Sequence, residues 1–261
     1  MNKKIGTLSL IWSGVKLNFL QSAWNFERLQ NAGFLFSIYN MLNKIYADNP
    51  AGKMAAIKRH MTFFNTHIFF SSAALGVMTR LEEDISNDDP KAKDIEIEST
   101  KMGIMGPLAA IGDALFWSGI RPLALLFGAG IVWMTNFSVE GWVQAAVVSL
   151  VVYNLPRVLI KYYLLLKSYY KYKELFVLIQ KVKFQDIMKS LKAAGMGILG
   201  IYTAVYLTRP GLYVTQKGHV MDVALIVAAF LLVTWALRSK KSVSNIFLGV
   251  LLASILVSYL T

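Results

Sequence analysis

Three hydrogen-bonding side chains stand between aromatic pairs in Phe63-Phe64-Asn65-Thr66-His67-Ile68-Phe69-Phe70. In apolar surroundings an amide, a hydroxyl and an imidazole each need a partner. That partner is either a neighbouring helix or a polar ligand such as a sugar, whose hydroxyls would meet Asn65, Thr66 and His67 while aromatic rings stack nearby. A second candidate is Met105 to Trp117, where Gly106, Pro107 and Gly112 interrupt an apolar run and Asp113 places a carboxylate at membrane depth. Such a carboxylate marks an ion or substrate pathway, caps a half-helix, or pairs with a cation, here Arg121. On one helix His60 and His67 would share a face, but a metal pair needs closer spacing and a third ligand, and His219 lies in a distant loop. No metal site is predicted. The glycines from Gly103 to Gly112 carry neither Gly-Lys-Ser/Thr nor GxGxxG, so nucleotide binding is not expected, and no cofactor is. With 0 cysteines, thiolate chemistry and Cys-based zinc are excluded.

The elements that must position these residues read as helices. Ile11, Val15, Phe19, Phe26 and Leu29 recur at three- and four-residue steps over 11–29, an amphipathic pattern. Asp48-Asn49-Pro50-Ala51-Gly52 reads as a loop, and a second helical stretch runs from about Met54 to Met78. Eight acids crowd Glu82 to Lys101, so this stretch, including Glu82 and Glu83, reads as a water-exposed connection. From Ile104 to Met134 the chain is apolar, interrupted by Pro107, Gly112, Asp113, Gly119, Arg121 and Pro122, a set of breaks that a single lipid-facing helix would not tolerate. Further apolar segments fall at about 143–160, 193–208, 220–237 and 246–260. Several reach only roughly 22–27 Å at 1.5 Å per residue, short for a hydrocarbon core of about 30 Å. Short, broken spans are typical of transporters. Small residues at Gly128, Gly130, Gly195, Gly197 and Gly200 let helices approach closely.

Composition agrees with a membrane protein. The chain is 56% hydrophobic and 16% charged, where soluble domains average roughly 25% charged, and mean hydropathy is +0.49. The net charge of +12 raises the question of nucleic acid. However, no nucleic-acid motif is present, and eight lysines with two acids sit between apolar segments at 161–192. Basic loops between spans reflect the positive-inside bias and attract anionic lipid, so membrane lipid rather than nucleic acid is the expected partner. Threading from a cytoplasmic 161–192 loop puts 1–103 inside, 135–142 and 209–219 outside, 238–241 inside and the C-terminus outside. Lys16, Asn18 and Gln21 interrupt the first apolar stretch and no cleavage site follows, so the start reads as mature sequence. The expected architecture is all-α and polytopic. Residues 1–103 form amphipathic or re-entrant helices with an acidic connection, and 104–261 form a membrane-spanning region with the basic loop.

Four blocks, in order, carry a family resemblance: Trp24-Asn25-Phe26-Glu27-Arg28-Leu29-Gln30-Asn31-Ala32-Gly33-Phe34; Arg59-His60-Met61-Thr62-Phe63-Phe64-Asn65-Thr66-His67; Leu81-Glu82-Glu83; and Lys101-Met102-Gly103-Ile104-Met105-Gly106-Pro107-Leu108-Ala109-Ala110-Ile111-Gly112-Asp113. Through them the sequence resembles the IID subunit of the mannose/fructose/sorbose family of the phosphoenolpyruvate-dependent sugar phosphotransferase system. It departs from the family in having Ile68 where Pro usually follows Asn-Thr-His, and Ala110 where Gly-Ile-Gly-Asp is usual. Ser168 to Glu174 lacks the glycines of a Gly-Tyr-x-x-Gly element.

The resemblance implies a non-catalytic permease half in the bacterial plasma (inner) membrane. It pairs with a homologous IIC subunit, in a trimer of heterodimers, to carry a hexose-type sugar that cytoplasmic IIB, served by IIA, phosphorylates. The phosphorylated histidines belong to IIA and IIB. Asn65, Thr66 and His67 are then the expected sugar contacts, with Gly106, Pro107, Gly112 and Asp113 ordering or gating the broken segment. An enzyme built on Asp113 and His67 would need a second acid or base beside them. A IID-like assembly partner or receptor that has lost transport is the other alternative.

Overall fold

The computed structural model describes residues 5–84, 90–181 and 183–208, with scattered positions between 228 and 252. The elements are α1 (Thr7–Lys16), running into a 3-10 turn at Leu17–Phe19, α2 (Asn31–Ile45), α3 (Pro50–His60), α4 (Ser71–Asp84), α5 (Pro90–Leu115), a π turn (Phe116–Ile120), α6 (Arg121–Met134), α7 (Val139–Tyr170), α8 (Tyr172–Lys181) and α9 (Phe184–Thr208). Among the described residues there is no strand, only isolated bridges from Leu29 to Asn25 and to Phe64. The chain is all-α, as its periodicity predicts. Met1–Leu199 and Gly200–Thr261 pack as separate units. In the second, the described residues 200–208, 230–236 and 248–250 are helical. The expected loop at 209–219 with His219, most of the segments 220–237 and 246–260, the basic turn at 238–241 and the C-terminus lie largely outside the described residues.

Small side chains set the close approaches in the first unit. α4 begins Ser71-Ser72-Ala73-Ala74, and nearly its whole circumference is buried. At Gly76 a β-carbon would lie 2.6 Å from the Leu165 carbonyl oxygen on α7, so this pair of helices meets backbone to side-chain root. Gly76→Ala is therefore expected to destabilise by about 1–3 kcal/mol through overpacking, read as a lower thermal midpoint in detergent. Leu10, Leu17, Phe34, Ile38, Met41, Leu75, Met78 and Leu165 complete the core around α4.

α6 and α7 form a hairpin. Its turn places Asn136 and Phe137 at φ 51° and 60°, and Ser138 caps α7 by accepting the Gly141 N–H at 3.0 Å. A side chain at Gly128 would meet Ser149 Oγ at 2.2 Å, and that hydroxyl instead donates to the Ala124 carbonyl at 3.0 Å.

Several expected boundaries move. The 11–29 pattern is helical only to Lys16, then tightens into the 3-10 turn and opens into a loop that leaves Phe26 exposed. The loop before α3 ends at Asn49, whose side chain accepts from the Gly52 N–H with Pro50 at the first helical position, so Pro50 starts a helix instead of blocking one. The 54–78 stretch breaks at Met61–Phe70, and His60 and His67 consequently share no helix face.

The apolar 104–134 run is helical throughout. Pro107 sits inside α5, and regular geometry is interrupted instead by the π turn at Phe116–Ile120. The 161–192 stretch is not a loop: α7 continues to Tyr170, and α8 and the start of α9 cover most of the rest. Among the described residues, two stretches are long and apolar enough to cross a membrane, Asp94–Met134 with 41 residues and Val139–Tyr170 with 32.

Candidate functional site

The irregular segment between α3 and α4 is fastened on two sides. The Gln30 N–H donates to the Phe64 carbonyl at 2.8 Å, and the Thr66 N–H donates to Gln30 Oε1 at 3.0 Å, which ties the segment to the start of α2. The Thr66 hydroxyl donates to the Met105 carbonyl at 3.1 Å, tying it to α5. Phe64 stacks on Phe34 with centroids 4.1 Å apart. These bonds satisfy the backbone polar groups that a helix would have paired internally.

The fastened segment forms one wall of a cavity of about 360 Å³. Asn65, Thr66, His67 and Phe69 line it from the segment, Ala109, Asp113 and Trp117 from α5 and the π turn. Gln21, Gln30 and Arg157 close the remaining sides. Polar groups and aromatic rings thus converge on a concavity of small-molecule size.

His67 is held among rings. It stacks on Phe116 at 5.3 Å with planes 12° apart, and meets Phe69, Phe70 and Trp117 edge-on. The glycine at 112 makes room for it, because a β-carbon there would lie 2.4 Å from His67 Cβ. Burial pushes the imidazole down to about 4, against the opposing pull of the Asp113 carboxylate, so the ring is neutral near pH 7. The Phe69 N–H points to Nδ1 at 3.4 Å, which assigns the ring proton to Nε2. Nε2 is buried and has no hydrogen-bond partner among the described residues.

The other expected site residues fall in different places. Asp113 lines the cavity but lies within a continuous helix, capping nothing, and forms no ion pair with Arg121; that guanidinium instead lies over the Trp117 ring at 5.0 Å. Gly106 and Pro107 are exposed on α5 and do not line the cavity, whereas Gly112 shapes it through His67. Sequence reasoning passed over Gln21, Gln30, Phe69, Trp117 and Arg157 as site residues. Arg157 carried a usable signal, a lone cation inside an apolar run.

Beneath the segment lies a buried ionic cluster. Arg59 donates from Nε and Nη2 to the two oxygens of Glu82, each at 2.9 Å, and also pairs with Asp94. His60 Nε2 donates to Glu82 Oε1 at 2.8 Å and the Tyr46 hydroxyl to Oε2 at 2.6 Å. The fully buried Lys101 donates to the Arg59 carbonyl at 3.1 Å and to Thr62. Glu82 is thus fully buried, not part of a solvated loop, and Glu83 accepts from Tyr169 at 2.6 Å and from the Ile5 N–H at 3.2 Å. The acids sit inside because α4 continues to Asp84 and carries both into the core.

Burial opposes charge on Glu82, but the His60 hydrogen bond and the bidentate Arg59 outweigh it and hold the carboxyl at about 2, below its usual 4.5. Burial pushes His60 below its usual 6.5 and keeps it neutral. Both folded values lie below the unfolded ones, so each group's contribution is present above its unfolded value and is lost as protons bind the unfolded chain preferentially. Stability in detergent is expected to fall as pH drops below about 6.5, and more steeply from about 4.5 towards 2, with unfolding followed by circular dichroism.

A family model described as "PTS system mannose/fructose/sorbose family IID component" matches residues 5–261. The chain belongs to this family. The mannose-specific EIID component of Escherichia coli is 37% identical over 149 residues, 57% of this chain and 50% of that protein. The match therefore spans about half the length of that relative. The fructose permease IID component of Bacillus subtilis is 27% identical over 262 residues, covering 93% of this chain and 91% of that protein.

Among solved structures, that of a membrane protein superposes with TM-score 0.70 at 27% identity, covering 97% of this chain and 96% of the other. A cryo-electron microscopy structure of the mannose transporter ManYZ with a microcin superposes with TM-score 0.58, at the same identity and coverage. For this IID chain, the second and fourth sequence blocks meet at the cavity: the second supplies Asn65, Thr66 and His67, and the fourth supplies Ala109 and Asp113, with Gly112 seating His67.

Proposed function

We propose that this chain is the membrane permease subunit of a mannose-family sugar phosphotransferase system, and that its cavity contributes contacts to a hexose-type sugar. The observation that carries the reading is the buried Nε2 of His67, without a hydrogen-bond partner among the described residues, on a ring set among aromatic rings and in a cavity shared with Asn65, Thr66 and Asp113. Sugar hydroxyls pair with such groups while the ring faces stack on aromatic walls. Residues 1–103 supply Gln21, Gln30 and the Asn65–Phe69 wall of the cavity, and residues 104–261 supply its Ala109, Asp113, Trp117 and Arg157 sides together with most of the spanning length. A IIC subunit completes the path, in a trimer of IIC–IID heterodimers, and IIB, recharged by IIA, phosphorylates the sugar on the cytoplasmic side. This chain then carries no phosphoryl group and catalyses no step. It sits in the bacterial plasma (inner) membrane with its N-terminus and the basic 161–192 stretch at the cytoplasmic face, the α6–α7 turn outside and the C-terminus outside.

A strain deleted for this chain tests the reading through uptake of labelled hexoses. Uptake of at least one hexose is expected to fall and to return with the intact gene; undiminished uptake of every sugar tested would overturn the transport assignment and favour an assembly or receptor role.

A further inference from the structure

Arg157 and Lys161 stand four residues apart on α7, one turn from each other on the same face. Neither forms an ion pair with a carboxylate among the described residues. Arg157 is half-buried, lines the cavity and lies over the Phe69 ring at 5.1 Å. Lys161 is only 4% exposed, and its ammonium donates to the neutral Asn18 side chain at 2.9 Å, with the Tyr162 ring 5.7 Å away. Asp113 lines the same cavity but makes no ion pair with Arg157.

The buried Lys161 ammonium forgoes hydration and is repelled by the half-buried Arg157 guanidinium one turn away, a cost that a carboxylate or another anion would offset. A fork of guanidinium donors beside an ammonium suits the tetrahedral oxygens of a phosphate. Asn18 gives its carbonyl oxygen to Lys161, which leaves its amide NH2 to donate.

We propose that Arg157, Lys161 and Asn18 form a binding site for a phosphate group at the α7 side of the cavity. The same chemistry is offered by a phosphorylated sugar and by a phospholipid headgroup. The site stands independently of the sugar reading, because it requires only a phosphate oxygen and no hexose contact.

The test uses the full chain, purified with whatever subunits accompany it, in phosphatidylcholine nanodiscs. Calorimetric titration with inorganic phosphate and with mannose 6-phosphate probes the soluble source. Nanodiscs containing phosphatidylglycerol, with retained lipid read by native mass spectrometry, probe the lipid source. Saturable binding or selective retention is expected in at least one arm. Arg157→Gln and Lys161→Gln are each expected to weaken it about tenfold or more, and Lys161→Arg, which keeps the charge and guards against a folding defect, to preserve it. Binding in no arm, or binding unchanged in both glutamine variants, would overturn the proposal. Titration with unphosphorylated mannose reports on the sugar reading separately, so the two can fail independently.

Discussion

Glu82→Ala is expected to lose about 3–5 kcal/mol of stability, the cost of leaving a buried charge without its partner. The carboxylate accepts four hydrogen bonds, two from Arg59 and one each from His60 and Tyr46. Its removal leaves a guanidinium that is nearly excluded from water with the half-exposed Asp94 carboxylate in place of its buried bidentate partner. The loss should appear as a thermal midpoint lowered by many degrees and as poor recovery from the membrane. Arg59 lies at the end of α3, and its carbonyl holds Lys101 on α5, so the cluster also fixes where the cavity segment begins. A stability within about 1 kcal/mol of the unmutated protein would mean the cluster is solvated and contributes as weakly as a surface pair.

Gly112→Ala is expected to lower sugar uptake on the order of 100-fold, because a displacement of about 1 Å in a positioning contact is felt at that scale. The new β-carbon would fall 2.4 Å from both Cβ and Cγ of His67, and the imidazole must leave its seat on Phe116. Overpacking adds a stability loss of about 1–3 kcal/mol. The double variant Gly112→Ala with His67→Gly, which removes both clashing carbons, separates the two effects: relieving the clash should recover much of the thermal midpoint without restoring uptake. Recovery of both would assign His67 a purely structural place.

The helical class is legible in apolar periodicity, and Asn65, Thr66, His67 and Asp113, which line one cavity, stand out as polar groups against apolar neighbours. What was misread depended on partners distant in sequence. The Met61–Phe70 break is stable only because Gln30 and the Met105 carbonyl accept the hydrogen bonds that Thr66 offers, and no local pattern announces those two acceptors. Glu82 looked solvated because acid density was averaged over 82–101, yet it lies on the final turn of a helix whose start is rich in small residues.

Lys161 is hidden in the same way by the density of lysines around it, although it is buried and donates to Asn18. Pro107 looked like a break. Proline removes one helical hydrogen bond, and at an exposed position on α5 the freed carbonyl can be hydrated or taken up by other groups. The interruption falls instead at the π turn, beside Gly119, where a side chain would meet Leu191 of α9.

The cavity as a sugar site is tested most directly by calorimetric titration of hexoses into the purified chain with its accompanying subunits, comparing it with His67→Ala at matched thermal stability. The intact protein should bind one hexose saturably, and loss of the Nε2 donor should weaken that affinity by about tenfold. Equal affinity in the two proteins would contradict the assignment of His67 and its cavity to the sugar.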